Sequence, residues 1–389
     1  MKMRKLALYS LLGSWGLVLL SCGKDDSPET PTEPTYNLTE ATINDDNYTA
    51  PGELSFLYST DNGDTYTAEK PQDLSKGDEL WVKINNGEVD IYEEDFYFDW
   101  SGSSISPADT EGDLAKFFIK ESDISITVAV ADKIELLVSH RDTGQFYVLD
   151  LSDGGLTPNF IIMKNEETAL VDIRGVIYNP NDGQIYIANS EDGFGQLYSV
   201  NPKTKTPTLI NNNENNTWKG LSDLIITPNN KLLAAAGFGF NNGPPALIEF
   251  ELSGINSEPM EFTGDDVPCC GLGMTFGDGN QELLIGNGTS DPLKIYKSNL
   301  QGNITEVITL ELEGDGFVNT EPTNYFIRNL ITTKMGTIYA LCYDLNDEFG
   351  DTHIAQVNLE QNKLIHIARI GTQNENIYFG LVALPAYTF

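Results

Sequence analysis

Positive charge is what this 389-residue chain has least of: 23 lysines and arginines stand against 58 aspartates and glutamates, for a formal net charge of −35. Phosphate backbones demand a basic footprint, so nucleic acid is excluded as a partner. The acidity is spread along the chain, which suits solubility and colloidal repulsion more than a cationic partner. Histidine is scarce, at His140, His353 and His366. No ligand-like spacing joins the three, so a zinc site has no obvious donor set. There is also no serine nucleophile elbow, no HExxH and no phosphate-cradling glycine loop. Only one long apolar stretch occurs, and it lies at the start.

That stretch, Leu6 to Leu20, follows Lys2, Arg4 and Lys5 and closes on Leu19-Leu20-Ser21-Cys22. A short apolar core ending in small residues before a cysteine predicts an export signal over residues 1–21, not a membrane span. The segment resembles a bacterial lipoprotein signal, which implies cleavage before Cys22, palmitate-type acylation of that cysteine and attachment to a membrane through the lipid. Residues 22–37 begin Gly23-Lys24-Asp25-Asp26 and continue in proline, threonine and glutamate. Such a composition cannot build a core and predicts a flexible tether. Its acidic residues beside Cys22 resemble the surface-export signals of lipoproteins in the Bacteroidota. That resemblance implies the cell-surface face of the outer membrane, with the periplasmic face as the alternative.

From Lys133 onward the chain repeats. A second-strand pattern recurs as KIELLVSH, QIYIANS, KLLAAAG, ELLIGNG and TIYALCY, each followed by a third-strand copy and then an outer strand. The period of roughly 50 residues lies in the range of propeller blades. First-strand copies (GVIYNP, LIITPNN, GMTFGDG and LITTKMG) precede only four of the five sets, and a fifth, GLVALPAYTF, stands alone at the end. The incomplete ends complement one another, so the last strand is expected to close the first blade into a ring. Nearly continuous apolar runs such as LLAAAG fit sheets packed on both faces. Residues 133–389 are therefore expected to form an all-β, five-bladed β-propeller, with six blades as the alternative. Units such as GQIYIAN and GQLYSVNP resemble the YVTN-like repeat propellers and the calcium-dependent lactonases of the gluconolactonase type.

Residues 38–132 alternate over six or seven short strands, with turns at Asn62-Gly63, Lys76-Gly77 and Asn86-Gly87. An immunoglobulin-like β-sandwich without the antibody cysteine pair is expected here. Ser59 to Tyr66 resembles the Asp-box of sialidases, which braces a hairpin in that family and implies no catalysis.

Propeller ligands gather where loops converge on one channel mouth, so the residues before each first strand matter most. Asp172, Ile173 and Arg174 stand there, then Trp218 and Lys219, Cys269 and Cys270, Tyr325, Phe326 and Arg328, and finally Tyr378 and Phe379. Arg174, Lys219 and Arg328 beside Trp218, Tyr325 and Tyr378 suit a small molecule or glycan with anionic and flat surfaces. The alternative is that they plug the channel and pair with Asp172 or Asp223. Adjacent Cys269 and Cys270 suggest a vicinal disulfide in an oxidising compartment; a soft metal, or a bond to Cys342, are the other readings. Cys342 itself is expected as a buried thiol on a second strand. No cofactor is expected, except that the lactonase resemblance implies a channel calcium held by Asp172, Asp223 and Asn329. The functional expectation is an envelope binding protein, handing its ligand to an outer-membrane, TonB-dependent transporter by resemblance to Bacteroidota surface lipoproteins. A calcium-dependent lactonase or glycan-cleaving hydrolase and a protein-interaction scaffold are the alternatives.

Overall fold

Alternation decides the first half of the structure, a computed structural model that describes residues 34–88, 91–92, 95–120, 122–190, 195–213, 218, 220–237, 244–269, 272–277, 282–287, 293–317, 321–322, 325–333, 336–344, 351–371 and 377–386. In Ile124–Asp132 the buried apolar residues are Ile124, Ile126, Val128 and Val130, and in Glu79–Asn86 they include Leu80, Val82 and Ile84. A period of two places each set on one face of its strand. The two faces meet in one core with Phe96, Trp100 and Phe117. One sheet orders Leu38–Asn47, Ile124–Asp132 and Phe96–Asp99; the other orders Leu54–Ser59, Glu79–Asn86, Leu114–Phe118 and Asp109–Glu111. The result is a two-sheet sandwich, whose first and last long strands pair in parallel. Its Asp-box turn is a self-contained brace: Asp61 accepts hydrogen bonds from the Ser59 and Thr65 hydroxyls and the Thr65 N–H.

A single residue, Lys133, joins the sandwich to the next sheet. Its N–H donates to the Asp95 carbonyl, and its own carbonyl accepts from Ala386 N–H.

Five further sheets follow in chain order. The first contains Ile134–His140, Gln145–Leu149 and Leu156–Ile161, with Tyr378–Pro385 as its inner strand. The C-terminal strand thus closes the first blade, pairing antiparallel from Ile134 opposite Pro385 to His140 opposite Tyr378. The second blade runs Ile173–Asn179, Gln184–Asn189, Gln196–Asn201 and Thr206–Asn211, and the third Leu221–Ile226, Leu232–Ala236, Ala246–Phe250 and Met260–Glu261. The fourth runs Met274–Phe276, Leu283–Gly286, Lys294–Ser298 and Ile304–Thr309. The fifth runs Tyr325–Thr332, Ile338–Asp344, Thr352–Asn358 and Lys363–Gly371, with Glu311–Glu313 added in parallel at its edge. This is a five-bladed propeller, and among the described residues no sixth blade is drawn from the preceding sheets.

The apolar run Leu232–Ala236 shows why such strands lack alternation. Leu232, Ala234 and Ala236 pack with Trp218, Phe250 and Tyr186, while Leu233 and Ala235 pack with Met274, Ile285 and Tyr296. Each blade therefore feeds a core on both sides. Burying a leucine this way contributes about 1.5–3 kcal/mol before cavity effects are counted.

Candidate functional site

The five inner strands begin at one mouth of the channel, and a shared irregularity shapes it. In the second blade Ile173 pairs with Asn189 but Gly175 with Ala188, so Arg174 is an extra residue. In the same way Ser222 is extra between Leu221 and Asp223, and Arg328 between Ile327 and Asn329. In the first blade the pairing shifts between Tyr378 opposite His140 and Leu381 opposite Val138, beside Phe379. A bulge of this kind bends the strand and re-aims a side chain. It is the local reason why Arg174, Arg328 and Phe379 meet.

The residue after each bulge forms the channel's waist: Gly175, Asp223, Asn329 and Gly380, with Gly273 at the matching place in the fourth blade. The glycines are required by crowding. A Cβ on Gly175 would lie 2.8 Å from Asp223 Cα, and one on Gly273 would lie 2.8 Å from the Asn329 carbonyl carbon. Asp223 is buried and spends both oxygens on backbone donors: Oδ1 accepts from Leu224 N–H at 2.9 Å, and Oδ2 from Met274 N–H at 2.9 Å and Leu330 N–H at 3.4 Å. Burial pushes its carboxyl up to about 7, against the opposing pull of those hydrogen bonds and the Asn329 side chain. Asn329 Nδ2 donates to the Arg174 carbonyl at 2.8 Å, so the waist ties the second, third, fourth and fifth blades together. Towards the other end of the channel lies a cavity of about 530 Å³, lined by Leu224, Ile226, Thr275, Leu330 and Thr332 among others.

On the mouth side the basic residues converge. The chain has five arginines, and the guanidinium carbons of Arg141, Arg174 and Arg328 lie 5.8, 5.7 and 5.1 Å from the centre of the Phe379 ring. Arg174 grips Asp172 through Nε (3.1 Å) and Nη2 (3.0 Å), and Arg141 grips Asp142 through the same two nitrogens at 2.6 and 3.0 Å. Backbone bonds stitch the loops, from Asp172 N–H to the Arg141 carbonyl and from Arg141 N–H to the Ile377 carbonyl. Asp172 is held at a φ of 49°, left-handed geometry that aspartate tolerates better than most residues. Arg328 is only 6 % exposed, and among the described residues its Nε and Nη2 have no hydrogen-bond partner. Burial and then Arg174 lower its pKa to about 10, opposed by Tyr343, Asp172 and Asp223.

Of the residues expected at the mouth, Arg174 and Arg328 come together there. Trp218, Tyr325 and Tyr378 do not line it. Trp218 packs edge-on against Phe250 in an inter-blade core, Tyr325 is wedged between Phe317 and His353, and Tyr378 packs edge-on against His140 and Tyr147. Cys269 is disulfide-bonded and Cys342 is a buried free thiol, which rules out the bond between those two. Lys219, Cys270 and Cys22 lie outside the described residues. The calcium set does not fit: Asp172 is engaged by Arg174 and Asp223 faces N–H donors. Among the described residues no group of three metal-binding side chains occurs.

Neither the family models nor the curated proteins include a match to this chain. Solved structures similar to it include a gluconolactonase from Xanthomonas campestris (10 % identity, TM-score 0.37, covering 59 % of this chain and 70 % of that one). TolB from Acinetobacter baumannii is 13 % identical with a TM-score of 0.34, covering 64 % of this chain and 66 % of that one. A protein of unknown function from Bacteroides thetaiotaomicron is 9 % identical with a TM-score of 0.38, covering 79 % and 89 %. The propeller assignment rests on the strand order above.

Two histidines thirteen residues apart in sequence touch in the fifth blade: His353 Nδ1 lies 3.1 Å from His366 Nε2, enclosed by Phe317 and Tyr325. Burial and then His366 lower the His353 pKa to about 4. Below about pH 6.5 an unfolded-state histidine takes up a proton that the folded one refuses, so stability is lost as pH falls towards 4. Relative to wild type, His353→Phe is expected to gain about 2 kcal/mol between pH 7.5 and 5, measured by urea denaturation at each pH. An unchanged difference between the two proteins would contradict a His353 held neutral by burial.

Proposed function

We propose that this chain is a lipid-anchored protein of the cell envelope that captures a small molecule or glycan bearing an anionic group at the mouth formed by Arg141, Arg174, Arg328 and Phe379. One observation carries the proposal: a buried guanidinium whose Nε and Nη2 have no hydrogen-bond partner among the described residues sits among the few arginines of a strongly acidic chain. Burying an unpaired charge costs several kcal/mol, and a channel plug needs no such charge. The signal, the acylated Cys22 and the tether fit this role, with the cell surface as the favoured location. The sandwich is taken as an immunoglobulin-like spacer spanning 38–132, with the propeller from 133. Transfer of the ligand to an outer-membrane transporter belongs to the same reading.

The test is a thermal-shift panel on the full chain, with anionic and neutral oligosaccharides, siderophores, corrinoids and calcium. A ligand that binds the folded state raises the melting temperature through linkage. Shifts confined to anionic organic compounds are expected. A shift with calcium alone would favour a metal-dependent hydrolase, and silence across the panel would favour a scaffold.

A further inference from the structure

We propose that the group this site takes is a carboxylate, docked in two-point fashion on the Nε and Nη2 edge of Arg328, which makes the ligand an organic monocarboxylate. The inference rests on the mouth being the binding site and deepens that reading. It starts from a comparison among three arginines around one ring. At Arg141 the Nε and Nη2 edge holds the Asp142 carboxylate, and at Arg174 the same edge holds the Asp172 carboxylate. At Arg328 those same two nitrogens are buried and have no partner among the described residues. The chain thus supplies two of three like pairs itself. A guanidinium edge presents two parallel N–H bonds that match the two oxygens of a planar carboxylate.

Charge favours a single negative unit. Asp142 and Asp172 already balance two of the guanidinium groups, and Asp223 beneath them is saturated by backbone N–H donors and does not hydrogen-bond Arg328. A doubly charged tetrahedral group would therefore set surplus negative charge beside Asp142 and Asp172, inside a chain of net charge −35.

The probes are benzoate, its neutral relative benzamide, and phenyl phosphate, added to the full chain at matched ionic strength, with melting temperature as the readout. Benzoate at high millimolar concentration is expected to raise the wild-type melting temperature by about 3 °C, and benzamide and phenyl phosphate by clearly less. Arg328→Lys keeps the charge but loses the two-point edge, so at least tenfold weaker benzoate binding is expected. Arg328→Gln, which removes the charge, serves as a second variant and should lose the shift as well. Equal responses to benzoate and phenyl phosphate would reduce the site to general anion attraction. An unaltered response in both variants would move benzoate to another part of the molecule. Each of these overturns the carboxylate assignment. A neutral oligosaccharide that binds and is lost in Arg174→Ala, with no benzoate shift, would overturn the carboxylate while leaving the mouth as the site. Failure of every organic compound would remove both.

Discussion

Arg328→Met is expected to raise the stability of the unliganded protein by about 2 kcal/mol while abolishing ligand capture. Replacing buried ion pairs or triads by well-packed apolar residues of similar volume is often neutral or stabilising by about 1–4 kcal/mol, and a lone buried charge carries the same desolvation cost without a partner to offset it. Here the group is only 6 % exposed, its Nε and Nη2 lack partners among the described residues, and Arg174 repels it. Contact with the Phe379 ring offsets part of that cost, by about 0.5–2 kcal/mol. Methionine keeps the packing of the aliphatic stem and fills irregular space. The check is urea denaturation followed by Trp218 fluorescence, since Trp218 is the one tryptophan after residue 133. A loss of stability would mean that Arg328 holds the mouth together and is not kept for a ligand.

Asp223→Asn is expected to cost about 3 kcal/mol, although it changes one atom. Both carboxylate oxygens accept backbone N–H bonds, so an amide in either orientation turns its NH₂ toward a donor. Three of the five blades meet at this residue, through Leu224, Met274 and Leu330, so the loss acts on the ring closure itself. The raised pKa adds a pH dependence. Because the folded pKa of about 7 lies above the unfolded value, this group's contribution is fully present below about pH 4 and declines as pH rises through 7. The midpoint of chemical denaturation, measured for both proteins at one pH, decides the matter. An unchanged midpoint would show that the waist is not held by this carboxylate.

The ring and its closure were legible in the sequence because they follow from repetition. GLVALPAYTF could be matched to the four other first strands without knowing any contact. Arg174 and Arg328 were legible because arginine is rare in this chain and both precede first strands. Tyr325 and Tyr378 were misplaced for a common physical reason, whereas Trp218, ahead of Leu221–Ile226, turns into the core against Phe250. Side chains alternate along a strand, so a single bulge at Arg328 or beside Phe379 reverses which neighbour faces the channel. The pattern of apolar residues does not mark that bulge. Arg141 went unnoticed because it follows a second strand rather than preceding a first one. Antiparallel order brings that loop to the same mouth, and this was the available signal. Asp223 looked like a metal donor by residue type alone; only the directions of its backbone neighbours show that it receives N–H groups instead. The His353 and His366 contact depends on the register of two adjacent strands, which spacing in sequence does not fix.

The central claim is that Arg328 is held for a ligand at a cost to the fold. The measurement that tests it most directly is the difference in melting temperature between wild type and Arg328→Met, taken without and with benzoate. The sign is expected to invert: the variant melts higher alone, and wild type gains on it or passes it when the carboxylate is present. A difference that stays constant on adding benzoate would contradict the claim.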